Sequence, residues 1–416
     1  MLWYDTRVFI AACNRIVSKM EEIPVLCLKK GEERRINQGH AWIFSNEVDK
    51  QKSPLKLFQA GEQAVLQAAN GKYLGLVYVN PNSLICARLL SRKVDRTFDH
   101  SFFVHRLKIA LSLRERLYSK PYYRLVFGES DFLPGLVIDR FADILVVQIT
   151  TAGMEALKDE LLIALEKVLK PTAIVLRNDS KSRELEGLEL YTEVAMGEVP
   201  ELVELEENNT RFVTDVIGGQ KTGWFYDHRS NRERMRHYVK DKTVLDLFSY
   251  IGGWGLQAAT AGAAEVTCVD ASQKAIDLAQ QSADLNTYKN LTTQVSDVFE
   301  FLKQMREERR KFDVVIADPP AFIKRKKDMK AGSQAYFRLN QMAMQVCAKD
   351  GIVVSASCSF HLPEQQLQQT LGQVSRHLDR DLQILETGCQ GPDHPVHPAI
   401  TESKYIKSFI CRVLRR

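Results

Sequence analysis

From Thr243 onward the chain alternates short apolar runs, each ending in an acid or a small polar residue, with longer stretches of helical period. Few folds accept that pattern. The runs place Val, Ile and Leu at consecutive positions, as strands covered on both faces require. The alternation reads as strand to Phe248, helix to Ala261, strand to Asp270, helix to Asn286, strand to Asp297 and helix to Lys311. A strand ending at Asp318, a helix over 334–348, a strand ending at Cys358 and a helix over 363–378 follow. This predicts an α/β domain built on a doubly wound, Rossmann-like parallel sheet. The last two runs, 382–387 and 405–414, have no helical segment between them and are expected to pair antiparallel at the sheet edge.

Open sheets of this kind bind ligands outside the carboxyl ends of their strands, so the residues there are the candidates. Val244-Leu-Asp-Leu-Phe-Ser-Tyr-Ile-Gly-Gly-Trp-Gly-Leu256 sets Asp246, Phe248 and Ser249 before a turn at Gly252 and Gly253. These glycines let backbone approach a ligand closely, and Gly262 is placed to end the helix. Asp270 closes the next strand, where an acid can accept from both ribose hydroxyls of a nucleoside cofactor. Asp297 closes the third, a position suited to an adenine amino group. Gly253-Trp-Gly255-Leu-Gln-Ala258 also fits the G-x-G-x-x-A dinucleotide fingerprint. Asp246 counts against that reading, because its carboxylate would repel a pyrophosphate on the helix amino-terminus. It suits the ammonium of a methionine moiety, so S-adenosyl-L-methionine is expected rather than NAD.

Residues 311–322, Lys-Phe-Asp-Val-Val-Ile-Ala-Asp-Pro-Pro-Ala-Phe, end a buried strand on an acid that two prolines hold open. Acid-Pro-Pro at a strand end is a habit of methyltransferases acting on nucleic-acid bases, with the acid, here Asp318, accepting from the base edge. Ile352-Val-Val-Ser-Ala-Ser-Cys358 brings a thiol to the same edge. C5 of a pyrimidine is a poor nucleophile, and a thiolate added at C6 makes it enamine-like. Cys358 is the candidate nucleophile; a buried structural cysteine is the plainer alternative. Its pKa is expected to be lowered by the site.

Further segments carry a family resemblance: Gly39-His-Ala-Trp-Ile-Phe-Ser45, Gly218-Gly-Gln-Lys-Thr-Gly-Trp-Phe-Tyr-Asp-His-Arg-Ser-Asn-Arg232, Leu245–Gly253, Asp318–Phe322, Ser357-Cys-Ser359 and Pro392-Asp-His-Pro395. With them, the chain resembles the ribosomal RNA large-subunit cytosine-5 methyltransferases, single-chain enzymes with an RNA-binding PUA domain in front. The resemblance spans roughly residue 23 to the carboxyl terminus. It implies formation of 5-methylcytosine through a covalent intermediate, with Cys358 as nucleophile and Asp318 as base-binding acid. It further implies cofactor contacts from Asp246, Gly252, Asp270 and Asp297, and a pocket wall from Gln220, Lys221 and Thr222. The implied partner is 23S ribosomal RNA or an assembling ribosomal particle; monomer and homodimer both stay open. Many relatives have Cys at Ser249 and Thr at Ile251. Other RNA cytosine-5 methyltransferases keep a second cysteine beside acid-Pro-Pro, whereas this chain has Ala321, so the group removing the C5 proton is undetermined. Methylation of a guanine ring nitrogen without a nucleophile is the enzymatic alternative. A non-catalytic RNA-binding protein with a vestigial cofactor fold is the other.

The rest of the chain is consistent with a multi-domain protein. Its 416 residues divide into an extension (1–22), a PUA-like β-barrel (23–95), an α+β middle domain (96–197) and the methyltransferase domain (198–416). Asn70-Gly71 predicts a type I′ hairpin. Phe102, Ile109, Leu113 and Leu117 mark a helix over 98–118, and a second helix is expected over 154–169. Residues 23–128 carry 18 Lys and Arg against 8 Asp and Glu, the electrostatic footprint of a phosphate-backbone binder. Residues 184–210 hold nine Glu and no basic residue, which reads as a boundary before a hairpin at Asn208-Asn209. The eight cysteines show no C-x-x-C spacing, which argues for a reducing, cytoplasmic setting and against zinc. No apolar run suggests a membrane span or a signal peptide. Lys324–Lys327 could grip phosphates, His361 and His394 could assist proton transfer, and Trp42 and Phe44 could stack on a base, although core roles suit both aromatics better.

Overall fold

The computed structural model describes residues 23–95 and 97–415, which form two compact units. The first holds the described residues up to Val199 together with Val396–Thr401, and the second holds Pro200–Pro395 and the described residues from Glu402 onward. The extension expected over 1–22 lies outside the described residues. Among the described residues, no helix is long and apolar enough to cross a membrane.

The first unit contains two five-stranded sheets. Strand β1 (Val25–Cys27), helix α1 (Glu33–Asn37), β2 (Trp42–Ile43), β3 (Gln63–Gln67), β4 (Tyr73–Val79) and β5 (Ala87–Ser91) build the first, ordered β1-β3-β4-β5-β2. Its two edges approach each other, because the chain beyond β1 bridges the chain beyond β2 at Leu28–Val48. That is the curvature of a small barrel, and Leu26, Ile43, Leu66 and Val77 fill its interior. The β3–β4 turn is not type I′. Only Gly71 has a positive φ (87°), and its amide donates to the Ala68 carbonyl. Ala69 and Asn70 therefore make an ordinary turn that a left-handed glycine completes.

Helix α2 (His100–Leu117), β6 (Tyr122–Phe127), β7 (Leu136–Phe141), β8 (Ile144–Ile149), α3 (Ala152–Glu155), α4 (Lys158–Leu169), β9 (Ala173–Asn178) and β10 (Tyr191–Gly197) follow, with strands ordered β10-β9-β8-β7-β6. Three expectations need correction. The buried stripe of α2 is Phe103, Leu107, Ala110 and Arg114, whereas Ile109, Leu113 and Leu117 are exposed. Arg114 holds a core position because Asp131 meets its guanidinium twice, at 2.6 and 2.7 Å. The helix expected over 154–169 is two helices, and part of the acidic stretch is strand β10 rather than linker.

The two sheets share one core. Val65, Leu76 and Tyr78 of the first pack with Leu136, Ile138 and Val147 of the second. The Tyr78 hydroxyl donates to the Pro134 carbonyl at 3.0 Å, and a Cβ on Gly153 would lie 1.9 Å from the Tyr78 ring, so only glycine fits. Buried Glu186 accepts from Asn80, Ser83 and Arg88 at 2.8–3.1 Å. Satisfied on both oxygens, its charge is tolerated inside.

The second unit opens with the hairpin β11 (Val203–Glu207) and β12 (Thr210–Thr214). Asn208 and Asn209 have φ of 51° and 61°, the type I′ geometry that asparagine tolerates. Helix α5 (Arg229–Met235) leads into β13 (Thr243–Leu247), α6 (Gly255–Thr260), β14 (Glu265–Asp270), α7 (Gln273–Leu285), β15 (Leu291–Val295), α8 (Val298–Glu307), β16 (Phe312–Ala317), α9 (Met329–Val346), β17 (Cys347–Ser357), α10 (Glu364–His377), β18 (Arg380–Gly388) and β19 (Lys407–Arg415). The strand order is β15-β14-β13-β16-β17-β19-β18. The first five run parallel, and β19 is antiparallel to both its neighbours, as the sequence pattern predicts. Leu245, Leu247, Val315 and Val353 are fully buried, which explains the continuous apolar runs. Since β13 lies between β14 and β16, the crossovers reverse direction there, and a crevice opens beyond these strand ends.

Candidate active site

Asp246, Asp270, Asp318 and Cys358 occur at or just beyond the carboxyl ends of β13, β14, β16 and β17, along one sheet edge. Register makes this concrete. Leu247 pairs with Ala317 and Ala317 with Ser355, so Phe248, Asp318 and Cys358 leave adjacent strands side by side.

Asp246 is fully buried. One oxygen accepts the Gly255 amide at the start of α6 at 2.8 Å, and the other has no hydrogen-bond partner. Burial, with Asp318 and Asp270 nearby, pushes its pKa up to about 8. After it the backbone turns sharply: Phe248 (φ 58°) and Tyr250 (φ 50°) are left-handed, an arrangement costly for side chains of this size. The turn is held by Asp270, whose two oxygens accept the Tyr250 and Ser272 amides, each at 2.9 Å. The Tyr250 hydroxyl donates to the Gly223 carbonyl and accepts the Gln220 amide, tying the 218–223 segment to the same turn. In that segment Lys221 is left-handed, with its ammonium over the Phe225 ring, and Thr222 is fully buried. Gly252 has φ 80°, and a Cβ there would lie 2.1 Å from Leu256, whereas a Cβ on Gly253 would press on Trp224 at 3.3 Å and Arg232 at 3.4 Å. Ser249 is buried, with an unpaired hydroxyl. Asp297 is exposed and caps α8, one oxygen accepting the Phe299 and Glu300 amides.

Asp318 is met by two groups that sequence reasoning left without a role. The Trp254 indole N–H donates to one oxygen at 2.9 Å, and His228 Nε2 lies 3.4 Å from the other. The Asn231 side-chain amide lies 3.1 Å from His228 Nδ1, which orients the ring, and Nε2 is turned toward Asp318 without a hydrogen bond. Asp227 is buried and accepts the Tyr405 hydroxyl at 2.7 Å; burial alone would raise its pKa, but the electrostatic pull of His228 and Lys221 holds it well below the usual carboxylate range. Glu207 of β11 receives Trp224, Arg229, Arg232 and Gln257, which locks the segment carrying these groups.

Cys358 is mostly buried between two clamped serines. Ser357 donates to the Tyr336 hydroxyl at 2.8 Å, which meets Ser359 at 2.9 Å, and Ile323 just beyond Asp318-Pro-Pro donates to Ser359. Lys407, paired opposite Ser357 across β17 and β19, puts its ammonium 2.5 Å from the Ser359 carbonyl. The thiol expectation needs correction: burial pushes Cys358 up to about 11, against the pull of Lys221. Burial lowers Lys407 to about 8, and it lies in electrostatic reach of Cys358. The thiol therefore keeps its proton at rest, and Lys407 in its amine form could take it only as the sulfur attacks, a pairing no local motif announces. Elsewhere, Lys324–Lys327 are exposed, and His394 is buried against Asp393 at 3.0 Å.

An S-adenosylmethionine-dependent methyltransferase family model matches residues 145–370, more than half the chain, and a PUA-like domain model matches residues 26–92. Ribosomal RNA large subunit methyltransferase I of Enterobacter sp. (strain 638) is 36% identical over 395 residues, covering 94% of this chain and 99% of that protein. The protein of the same name from Aliivibrio fischeri (strain MJ11) is 38% identical over 393 residues, covering 93% and 98%. The chain belongs to this methyltransferase family. An S-adenosylmethionine-dependent methyltransferase from Streptococcus mutans shares the fold at a TM-score of 0.78 and 21% identity, covering 94% of this chain and all of that one. A methyltransferase complexed with SAH does so at 0.79. The family's cofactor is S-adenosylmethionine, and the crevice fits it: an orphaned, buried carboxylate oxygen on Asp246 awaits a donor or cation, and Asp270 stands at the neighbouring strand end.

Proposed function

We propose that this protein methylates C5 of a cytosine in large-subunit ribosomal RNA, in the cytoplasm, with Cys358 as covalent nucleophile. The observation that carries the reading is Cys358, between two hydrogen-bonded serines, at the same sheet edge as Asp318, which accepts the Trp254 indole N–H and lies 3.4 Å from His228 Nε2. Asp246 and Asp270 would receive the ammonium and the ribose of the cofactor. Gln220, Lys221, Thr222, Phe248, Ser249, Gly252, Gly253 and Asp297 would complete its pocket. When bound, S-adenosylmethionine supplies an electrophilic methyl group. In its amine form Lys407 would accept the thiol proton as the Cys358 sulfur bonds to C6 of the base, which would give C5 the electron density to take that methyl group. Asp318 accepts from the cytosine amino group, a pairing suited to carboxylates. Transfer of the C5 proton to water would then break the C6–S bond and restore the C5–C6 double bond, and the expelled Cys358 thiolate would regain its proton from the Lys407 ammonium. In this reading residues 23–95 recognise RNA, residues 96–197 form an α+β part beside them, and residues 198–416 carry the methyl transfer. Supporting the RNA reading are the basic balance of residues 23–128 and the names of the relatives. The test is nucleoside mass spectrometry with bisulfite sequencing of ribosomal RNA from cells with and without the gene. One 5-methylcytosine should vanish from the large subunit, and an unchanged profile would refute the reading.

Cofactor binding should also expel a proton. With its pKa raised to about 8, Asp246 is mostly protonated at pH 7, and a cationic partner favours its carboxylate. Affinity is therefore expected to climb with pH from 6 to 8 and level off above. Calorimetry in buffers of different ionisation enthalpy should register proton release at pH 7, and Asp246→Asn should abolish it. Buffer-independent heats would remove Asp246 from this role.

A further inference from the structure

The first unit carries a cavity of about 730 Å³ whose walls suit a ligand with both a flat ring and negative charge. Phe132 stands in its wall with 52% of its surface exposed and φ at 59°. Its left-handed backbone closes the 3-10 turn over Gly128–Asp131, the amide donating to the Glu129 carbonyl at 3.0 Å, but a large apolar ring left half exposed there forgoes burial. The Arg106 guanidinium lies over this ring, 5.3 Å from its centre, and 5.5 Å from that of Phe102, which sets a cation on one face of Phe132 and leaves stacking to the other. The His397 ring approaches Phe132 edge-on at 6.1 Å. Arg92 and Lys93 line the same cavity, and Arg92 is braced by donating to the Ile36 carbonyl at 2.6 Å.

Acidic groups are present too, yet two are already engaged. Asp99 caps helix α2 through the Phe102 amide, and Glu129 accepts the Trp42 indole at 2.8 Å with Arg88 within 4.0 Å. Asp95 is the third. The same walls carry the half-exposed Phe132 ring and the cations Arg92, Lys93 and Arg106.

We propose that this cavity binds one unpaired nucleotide of single-stranded RNA, its base stacked on Phe132 and its flanking phosphates met by Arg92, Lys93 and Arg106. Single-stranded recognition uses this pairing of a stacking platform with a basic rim, since every base has a π face and every link a charge. The proposal rests on the RNA reading above and extends it to a substrate contact outside the methyltransferase sheet. Because Phe132 is exposed and Arg106 lies at the surface of α2, both can be changed without opening the core.

The test uses the full-length protein and a fluorescent single-stranded oligoribonucleotide, with a duplex of the same sequence as control. Phe132→Ala should weaken single-strand binding roughly 5- to 100-fold. Phe132→Trp should keep it, and duplex binding should be insensitive to both. Arg106→Ala should weaken binding and reduce the salt slope by about one. For methyl transfer, Phe132→Ala should raise KM with kcat and cofactor affinity unchanged. Single-strand affinity unchanged in both alanine variants, beside normal binding by the unaltered protein, overturns the cavity assignment alone. Failure of the unaltered protein to bind RNA overturns the RNA reading, and this proposal with it.

Discussion

Cys358→Ala is expected to lower methyl transfer on the order of 10⁴-fold or more, the scale on which a covalent nucleophile is missed. Cofactor affinity should stay within about twofold, since the assigned cofactor contacts belong to β13, β14 and the loops around them. The fold should survive, because the neighbouring serines are clamped through Tyr336, Ile323 and Lys407 rather than through the thiol. The pH profile separates the nucleophile from its partner. A solitary thiol pushed up to about 11 would give a rate rising steadily across pH 7–10. If Lys407, lowered to about 8, receives the proton, the rate should climb to about pH 8 and then level. Lys407→Met should restore the steady rise at a reduced rate. A plateau that persists in Lys407→Met would assign the titrating group elsewhere.

Asp318→Asn is the second large effect. The carboxylate has lone pairs to spare after meeting Trp254 and His228, and those spare sites can receive the amino group of a base. Asparagine keeps the shape but offers one oxygen and a competing donor. Turnover should fall about 10²–10³-fold, as when one preorganised polar partner of the reacting group is removed. Cofactor affinity should change little. Steady-state kinetics with a cofactor titration check both. If kcat is unchanged and only cofactor affinity falls, Asp318 belongs to the cofactor pocket and not to the base.

The methyltransferase sheet was legible because each buried run stops at a residue that cannot continue it. Asp246, Asp270 and Asp318 mark their strand ends by charge, and Pro319 by its missing amide. The β18–β19 pair was readable for the converse reason, the absence of a crossover helix between the two runs. What stayed hidden depends on pairings distant in sequence. Trp254 reaches Asp318 across 64 positions, and Lys407 reaches Ser359 across 48, through a strand register that no motif encodes. Helix α2 misled for a related reason: Arg114 occupies a core position, and only the fold shows that Asp131 neutralises it. Asn70-Gly71 and Asn208-Asn209 show how far turn chemistry goes. The first has the preferred residues yet a longer loop, while the second has the geometry itself. The activation of Cys358 was misjudged because a sequence displays neighbouring charges more readily than depth of burial, and burial dominates here.

The covalent mechanism is tested most directly by mixing the protein and S-adenosylmethionine with large-subunit ribosomal RNA in which cytosine is replaced by 5-fluorocytosine. Fluorine at C5 cannot leave as a proton would, so an enzyme that adds through Cys358 should be trapped after methyl transfer. Mass spectrometry should then find a peptide containing Cys358 joined to a methylated fluorocytidine, absent from Cys358→Ala. Turnover of the normal RNA by Cys358→Ala at near-native rate, with no adduct from the unaltered protein, would contradict the account and favour methylation of a ring nitrogen.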